Sequence, residues 1–279
     1  MLTVVFVAVL TFVGLSIIGA VRWAAATRGL RAGLQAARQT VKPDRFEARE
    51  LQRLPEPVQR YFRLALTAGQ PIVRGLRVEH AGRLNIGKSS DNWKPFTSGQ
   101  QVCTRRPGFL WDARVRVAPG VTVHVHDAYV AGEGTLHPAL LGLLPLGKQH
   151  GKGAIAEAEL LRYLAEAVCY PTALLPSQGV SWQAVDAHSA TATLRDGELS
   201  VSLLFCFNDA GLVESVRADA RPCLLAGRFV SLPWEGLWSD HEQQHGMCVP
   251  MRGEVRWLLP GGPKPYWQGR IGRLDYEFS

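Results

Sequence analysis

The segment FLWDARVRVAPGVTVHVHDAYV, residues 109–130, decides the fold of this chain. On each side of Ala118-Pro119-Gly120, successive side chains alternate in character, which is the period of a strand with one buried face. Two such runs around a short turn predict a β-hairpin. A three-residue loop centred on Pro119 sets its pairing and places Asp112 opposite His126, Arg114 opposite His124, and Trp111 opposite Asp127.

The same period of two recurs along most of the chain from residue 72 onward. Asp196-Gly197 marks a second hairpin by its favoured two-residue turn, and a run of Pro and Gly over 260–265 separates two late strands. This pattern gives about ten strands, spaced as in a meandering antiparallel sheet. We therefore expect residues 67–279 to form a mainly β (α+β) domain built on one large curved antiparallel sheet.

One strong helix interrupts the strands, over residues 154–169. Its apolar side chains share one face, Glu159, Arg162 and Glu166 lie on the other, and Pro171 ends it. An i,i+4 pair such as Arg162–Glu166 normally lies in solvent. If the helix crosses the mouth of the curved sheet instead, Arg162, Tyr163 and Glu166 would border a cavity.

The N-terminal segment is apolar, with no charged side chain before Arg22. Residues 2–21 would span about 30 Å as a helix, the thickness of the hydrocarbon core of a bilayer. A signal peptide would need a basic segment before the apolar run and a shorter apolar core. We therefore expect residues 1–22 to be a single transmembrane anchor in the inner membrane of a bacterium.

The net charge of +7 is concentrated directly after this anchor. Residues 22–63 hold ten Lys or Arg and four Asp or Glu, and the rest of the chain is nearly neutral. This placement indicates contact with anionic lipid headgroups rather than nucleic acid. We interpret residues 23–66 as a basic helical stalk interrupted at Pro43. The positive-inside rule favours a cytoplasmic domain, with the envelope side as the alternative.

Several local motifs occur in a characteristic order, which is LPEPVQRYFR (54–63), WKPF (93–96), RYLAEAVCYPTALLP (162–176), PWEGLWSD (233–240) and RLDYEF (273–278). This order resembles a bacterial family of membrane-anchored proteins whose domain has no assigned function, over about residues 50–279. The order of strands, helix and strands is also similar to the curved half-barrels of envelope lipoprotein carriers. That second resemblance concerns architecture, and architecture does not fix function.

The sequence His241-Glu242-Gln243-Gln244-His245 matches the HExxH pattern of zinc hydrolases. In those enzymes one face of a helix presents both His side chains to zinc, and the Glu acts as a base. Here the motif lies between breakers and lacks the apolar positions of a buried helix. We interpret it as a polar loop and keep zinc hydrolysis as the alternative.

An acidic residue on the apolar face of the first hairpin is unusual, because a buried carboxylate needs partners. Asp127 lies there with Trp111, so the face lines a wet cavity or Asp127 accepts backbone hydrogen bonds. On the opposite face, Asp112 and His126 form either a tuned acid–base pair or an ordinary cross-strand pair. The aromatic residues of the second half serve core packing or line a cavity.

The sequence predicts a non-catalytic, membrane-anchored binding protein for a lipid or another apolar ligand. The expected ligand-binding residues are Trp111, Asp127, Arg162, Tyr163, Glu166, Trp182 and Trp234. We expect no cofactor, no metal and no nucleic-acid partner. Two alternatives are a zinc hydrolase using His241 and His245, and a scaffold that binds another membrane protein through its sheet edge. A ligand carrier predicts a continuous apolar cavity, whereas a scaffold predicts a filled core and a bare edge strand.

Overall fold

The computed structural model describes residues 2–87, 90–225 and 227–279. Within these ranges the chain forms three α-helices and one antiparallel sheet of fourteen strands. The helices are α1 (Leu2–Ala36), α2 (Glu56–Ala65) and α3 (Ala154–Glu166). Strands precede and follow α3, so this helix divides the sheet into two parts along the chain.

The first part contains β1 (Val73–Asn85), β2 (Trp93–Cys103), β3 (Gly108–Ala118), β4 (Val121–Val130), β5 (Glu133–Leu140), β6 (Leu144–Pro145) and β7 (Gln149–Gly151). The second part contains β8 (Val180–Asp186), β9 (Ser189–Asp196), β10 (Leu199–Phe207), β11 (Val213–Leu225), β12 (Arg228–Gln244), β13 (Met247–Leu259) and β14 (Gly262–Phe278). The expected number of about ten strands was too low. Segments as short as β6 and β7 carry no readable alternation.

Each part is a meander in which successive strands pair, except that β7 pairs with β5 rather than with β6. The pairing of β1 with β14 joins the two meanders. The hairpin of β3 and β4 has the predicted register, with Asp112 opposite His126 and Trp111 opposite Asp127. The predicted turn at Asp196-Gly197 also joins two paired strands, β9 and β10.

The sheet curves around α3. This helix contacts β4 and β5 of the first meander and also β10 and β11 of the second. These strands lie far apart in the sheet order, so one helix touches both groups only because the sheet wraps around it. We call the face that meets α3 the inner face. The helix predicted for residues 154–169 is confirmed, with its last turn, residues 167–169, as a 3₁₀ helix.

The outer face of β3 and β4 is covered by the C-terminal half of α1. Trp23 and Leu34 of α1 are buried there, and Leu34 packs in a cluster with Leu110 and Ala128. Residues 24–66 were expected to be helical, with an interruption at Pro43 and a fresh helix start at Pro55 and Pro57. The chain instead leaves helix at Ala36, forms a 3₁₀ turn over residues 48–53, and starts α2 after Pro55.

The segment expected to be a stalk packs on the domain along much of its length. Phe46, Leu51, Val58 and Phe62 are all buried in the main core. By contrast, apolar side chains of the first half of α1, such as Phe6 and Leu10, are exposed. Among the described residues, α1 is the one helix long and apolar enough to cross a membrane. Signal sequences also meet this criterion.

Candidate ligand-binding cavity

A cavity of about 510 Å³ lies between the inner face of the sheet and α3. Pockets for one small molecule have volumes of about 300–1,000 Å³. Aliphatic side chains from both meanders and α3 form much of the wall, including Val78, Leu136, Ile155, Val255 and Ile271. Aromatic residues complete it, namely Trp111, Trp234, Trp238, Trp257, Tyr266 and Trp267.

Arg162 is the centre of a partly buried ionic cluster on the α3 side of the cavity. Its Nε donates to Glu166 Oε1 at 2.7 Å, and its Nη1 donates to Asp127 Oδ2 at 2.5 Å. The guanidinium lies 4.9 Å from the ring centre of Phe109 and 5.1 Å from that of Trp111. The solvated pair considered for Arg162 and Glu166 is therefore wrong, because the sheet covers this face of the helix.

Glu159 lies next to this cluster and is 3% exposed. Burial raises its pKa well above the usual value, and the charge of Asp127 and a hydrogen bond with its carboxylate act in the same direction. Burial therefore favours the uncharged, protonated form of the Glu159 carboxyl group. Three guanidinium groups, of Arg162, Arg221 and Arg252, and three carboxyl groups, of Asp127, Glu159 and Glu166, line the cavity.

Polar side chains form a row across three neighbouring strands of the inner face. Gln100 of β2 pairs with Trp111 of β3, which pairs with Asp127 of β4. Gln100 Nε2 donates to Glu166 Oε2 at 2.5 Å. Gln100 Oε1, Trp111 Nε1 and Asp127 Oδ1 are buried and have no direct hydrogen-bond donor or acceptor in the described part of the chain.

Arg221 of β11 provides the second buried guanidinium. It lies 5.1 Å from the ring centre of Trp234 and 5.6 Å from that of Trp257, and it donates to the carbonyl oxygen of Ala158. An irregularity in the pairing of β11 with β12 between Ala218 and Arg221 breaks the simple alternation of this strand. Sequence reasoning missed Arg221 for this reason. It missed Gln100 because an uncharged amide in a regularly alternating strand carries no charged or aromatic signal.

Five of the seven predicted binding residues line the cavity, namely Trp111, Asp127, Arg162, Glu166 and Trp234. Tyr163 and Trp182 were also expected at the ligand site, but neither lines the cavity. Tyr163 is buried in the core away from the cavity, with its hydroxyl 3.5 Å from the carbonyl oxygen of Thr104. One residue along a helix turns the side chain by about 100°, so Tyr163 cannot share the direction of Arg162.

Trp182 also lies outside the cavity. Its ring packs edge-on against Phe62 of α2 and Phe205 of β10, and its Nε1 donates to Leu174 O at 3.0 Å. Sequence alone gave no means to distinguish a core tryptophan from a cavity tryptophan, because both are aromatic residues in strands. Trp182 therefore has a packing role here.

Three exposed apolar side chains lie at the mouth of the cavity. Leu146, Leu224 and Phe229 line it and are 60%, 37% and 40% exposed, respectively. Leu146 follows a loop that touches α1, because a Cβ atom on Gly19 would lie 2.0 Å from the carbonyl oxygen of Leu141. The end of the long apolar segment of α1 is therefore next to the chain that borders the mouth.

The HExxH segment is part of a strand. His241 to Gln244 belong to β12 and pair with β13, and His245 follows in the turn. Four residues of extended chain span about 13 Å, so the two imidazoles do not meet on one face as they would on a helix. The polar loop expected here is wrong, and so is the helix that zinc would need. Within the described ranges, no three His, Cys, Asp or Glu side chains cluster closely enough to hold a metal ion.

Asp112 and His126 are confirmed as cross-strand partners, but α1 covers them. His126 Nε2 lies 3.9 Å from Asp112 Oδ1 and 2.7 Å from Thr27 Oγ1, and Trp23 Nε1 donates to Asp112 Oδ1 at 2.9 Å. Burial lowers the pKa of His126 to about 4, although the charge of Asp112 acts in the opposite direction. This group therefore serves to attach α1 to the sheet.

Comparison with known proteins matches most of the chain to one family, whose function is unknown. Residues 52–276 match DUF6920, described as a family of unknown function. No curated protein matches the chain. A LolA superfamily protein from Nitrosomonas europaea is similar in structure, with 11% identity and a TM-score of 0.36, over 84% of this chain and 95% of its own. A beta-barrel-like protein of DUF1849 from Brucella abortus has 13% identity and a TM-score of 0.19, over 74% and 99%.

Proposed function

This chain belongs to DUF6920, a family of unknown function, and we propose that it is a membrane-anchored protein that binds a lipid or another apolar ligand. The observation that carries the proposal is the cavity of about 510 Å³ between α3 and the inner face. An apolar wall with a few convergent polar groups is typical of small-molecule sites. The ligand is held by the apolar wall, and the residues around Arg162 contact its polar end.

The position of α1 supports binding at a membrane surface. Its exposed apolar half ends at Gly19, beside the loop that leads to Leu146 at the mouth. A ligand from the bilayer then enters the cavity without crossing much water. Residues 1–22 act as the anchor in the inner membrane, and the basic residues that follow keep the domain on the cytoplasmic side.

The two alternatives have less support than the carrier. Zinc hydrolysis needs His241 and His245 on one helical face, and both are attached to an extended strand. A scaffold predicts a filled core, whereas this core contains a cavity of small-molecule size. The non-catalytic binding function therefore accounts for more of the geometry than either alternative.

Photo-crosslinking in the membrane tests the proposal. A small diazirine-bearing amino acid replaces Val255, which lines the cavity, in the full chain in native membranes. Illumination is expected to give an adduct of lipid mass on this residue, read by mass spectrometry. The matched control carries the same amino acid at Val185, which is 56% exposed on β8 and remote from the cavity wall.

A cavity-filling variant completes the test. Ala158 of α3 lines the cavity, so Ala158→Phe is expected to abolish the adduct at position 255. Ala184→Phe, at an exposed position of β8, is expected to leave it unchanged. Equal lipid adducts at positions 255 and 185, or none at 255, would refute ligand binding in the cavity.

A further inference from the structure

Two surface segments carry most of the exposed apolar side chains of the domain. Beyond the apolar run of α1, the described part of the chain exposes nine large apolar side chains, and six of these lie on the two segments. One segment follows β5, and the other comprises the end of β11 and the start of β12. A concentration of this kind on a surface marks a contact site. We call the six residues the apolar rim, namely Leu144, Leu146, Leu224, Leu225, Phe229 and Val230.

The two segments border one opening. Leu146 lines the cavity from the first segment, and Leu224 and Phe229 line it from the second. Leu224 and Phe229 are also direct partners across β11 and β12. Helix α3 contacts both β5 and β11, the strands to which the two segments are attached. The apolar rim therefore borders the mouth of the cavity from two sides.

The packing of α1 on the first segment sets the height of the rim relative to a membrane. A Cβ atom on Gly19 would collide with the carbonyl oxygen of Leu141 and lie 3.0 Å from Leu143 Cγ. Gly19 precedes Arg22 by three residues, which is about 4.5 Å along the helix axis. In the proposed function, the apolar run of α1 before Arg22 spans the bilayer. The segment that touches Gly19 then lies at the boundary between acyl chains and headgroups, and Leu144 follows directly after it.

The charges beside the rim suit an anionic bilayer. Residues 141–152 and 221–232 contain four Lys or Arg and no Asp or Glu. Among these basic residues, Lys148 and Arg228 are exposed, and neither forms an ion pair within the described part of the chain. Basic side chains next to exposed Leu and Phe are typical of segments that lie in the headgroup region. Because α1 already brings a bilayer to this height, the bilayer itself is the partner that covers the rim.

We propose that the apolar rim enters the interface of the bilayer in which α1 is anchored and holds the mouth of the cavity against the acyl chains. Lys148 and Arg228 bind lipid phosphate groups at its border. Interfacial segments of this kind reach about 5–10 Å into the boundary between headgroups and acyl chains. This inference rests on the proposed function, because it takes α1 as the membrane anchor. It adds a second contact, which orients the domain on the membrane surface.

Fluorescence quenching by brominated lipids tests the inference with the full chain. An environment-sensitive fluorescent amino acid replaces Leu144 or Leu225, which belong to the rim but do not line the cavity. A lipid bound inside the cavity therefore does not account for the signal. The liposomes contain phosphatidylglycerol and a phosphatidylcholine brominated near the headgroup end of its acyl chains. At both positions, emission is expected to fall at least about twofold, as the side chains reach the depth of the bromine atoms.

Matched positions provide the controls for this measurement. The same amino acid at Val185, which is 56% exposed on β8, is expected to keep its emission. At Leu10, in the middle of the apolar run of α1, quenching is expected to be stronger with lipids brominated near the chain end. Position 10 therefore reports on the anchor, whereas positions 144 and 225 report on the rim.

A charge variant tests the contact with lipid phosphate. Lys148→Gln combined with Arg228→Gln is expected to lower the ratio of docked to undocked rim by about 5- to 30-fold in anionic liposomes. The ratio is read from quenching at position 225, and it is expected to change little in liposomes of phosphatidylcholine alone. The control is Arg273→Gln, at an exposed residue near the other end of β14 that pairs with Asp275.

The outcomes separate the inference from the proposed function. If positions 144 and 225 resist quenching as position 185 does while position 10 is quenched, the rim does not enter the bilayer and the anchor stands. Blue-shifted emission at the rim without quenching would show that protein covers it, as in a pair of chains, and would also overturn the inference. Absence of quenching at position 10 would overturn the anchor and the inference together. An equal effect of Lys148→Gln with Arg228→Gln in neutral and anionic liposomes would refute the phosphate contact.

Discussion

Trp23 of α1 stacks on His126 of β4, with the ring centroids 3.8 Å apart and the ring planes 15° apart. This contact joins the helix that carries the apolar N-terminal segment to the outer face of the sheet. The opposite face of the same hairpin carries Trp111 and Asp127 of the cavity. One hairpin therefore contacts both the proposed anchor and the proposed ligand.

The attachment of α1 is expected to weaken in acid because of His126. Burial lowers the pKa of this imidazole from 6.5 to about 4 in the folded chain. Between these values the unfolded state binds more protons than the folded state, so stability falls as pH falls. The contribution of His126 is complete above pH 6.5 and is lost progressively down to pH 4, by about 1–3 kcal/mol.

Denaturant unfolding of the full chain at several pH values measures this effect. His126→Gln removes the titrating group, so the difference in unfolding free energy between variant and wild type is expected to change with pH in this window. His188→Gln, at an exposed turn, serves as the control. A difference that stays constant from pH 7 to pH 4 would contradict the role of His126.

The contact of α1 with the loop after β5 depends on a glycine. A Cβ atom at Gly19 would lie 2.0 Å from the carbonyl oxygen of Leu141, whereas one at Gly14 would meet nothing within 4 Å. Gly19→Leu is therefore expected to force the helix away from the loop and to destabilise the protein by about 1–3 kcal/mol. Gly14→Leu, in the same apolar segment, is expected to change the unfolding free energy little.

Thermal unfolding of both glycine variants in the same detergent gives the comparison. A short bismaleimide crosslink between cysteines introduced at Trp23 and His137, whose rings lie 5.5 Å apart, reports whether α1 remains docked. Gly19→Leu is expected to slow this crosslink, because the helix has shifted. Identical melting and crosslinking of the two variants would show that the close packing of Gly19 against Leu141 does not contribute to stability.

Arg162 is expected to be essential for stability as well as for binding. Arg162→Met removes the positive partner of Asp127 and Glu166 and leaves their charges uncompensated in the core. Removing one member of a buried ion pair costs about 3–5 kcal/mol. Urea unfolding measures the loss, and Arg49→Met is the control, since Arg49 pairs with Glu47 in solvent.

A double variant distinguishes this electrostatic cost from lost packing. Asp127→Asn combined with Arg162→Met removes a negative charge together with the positive one. It is expected to recover part of the stability that Arg162→Met loses, because fewer buried charges lack a partner. If the double variant loses more unfolding free energy than the two single variants lose together, the loss in Arg162→Met comes from packing rather than from charge.

The sequence was sufficient for features that depend on local order. The register of β3 and β4 was predicted from the turn at Pro119, although the strands pair as far as Ala118 and Val121 with an irregularity after Arg116. Helix α3 follows from its periodicity and from Pro171. Membership of the motif-bearing family was also readable, since its short motifs extend from residue 54 to residue 278. These are relationships between residues close in the chain.

The surroundings of these elements could not be read in the same way. Arg162 and Glu166 look like a solvated pair until the sheet is seen to wrap around α3. His126 looks exposed until α1 is placed on it, and it is 1% exposed in the structure. Both depend on contacts between segments far apart in sequence, which alternation and turn residues do not encode. The short strands β6 and β7 were missed for lack of length.

The pairing of β1 with β14 sets the order in which this protein is able to fold. Strand β14 follows the other thirteen strands along the described chain, yet it lies in the middle of the sheet. Until it emerges from the ribosome, β1 and β13 both present unpaired edges, which are prone to aggregate. Contacts between residues this distant also form slowly. The growing chain therefore completes its sheet only after β14 has been synthesised, and two edges stay open until that moment.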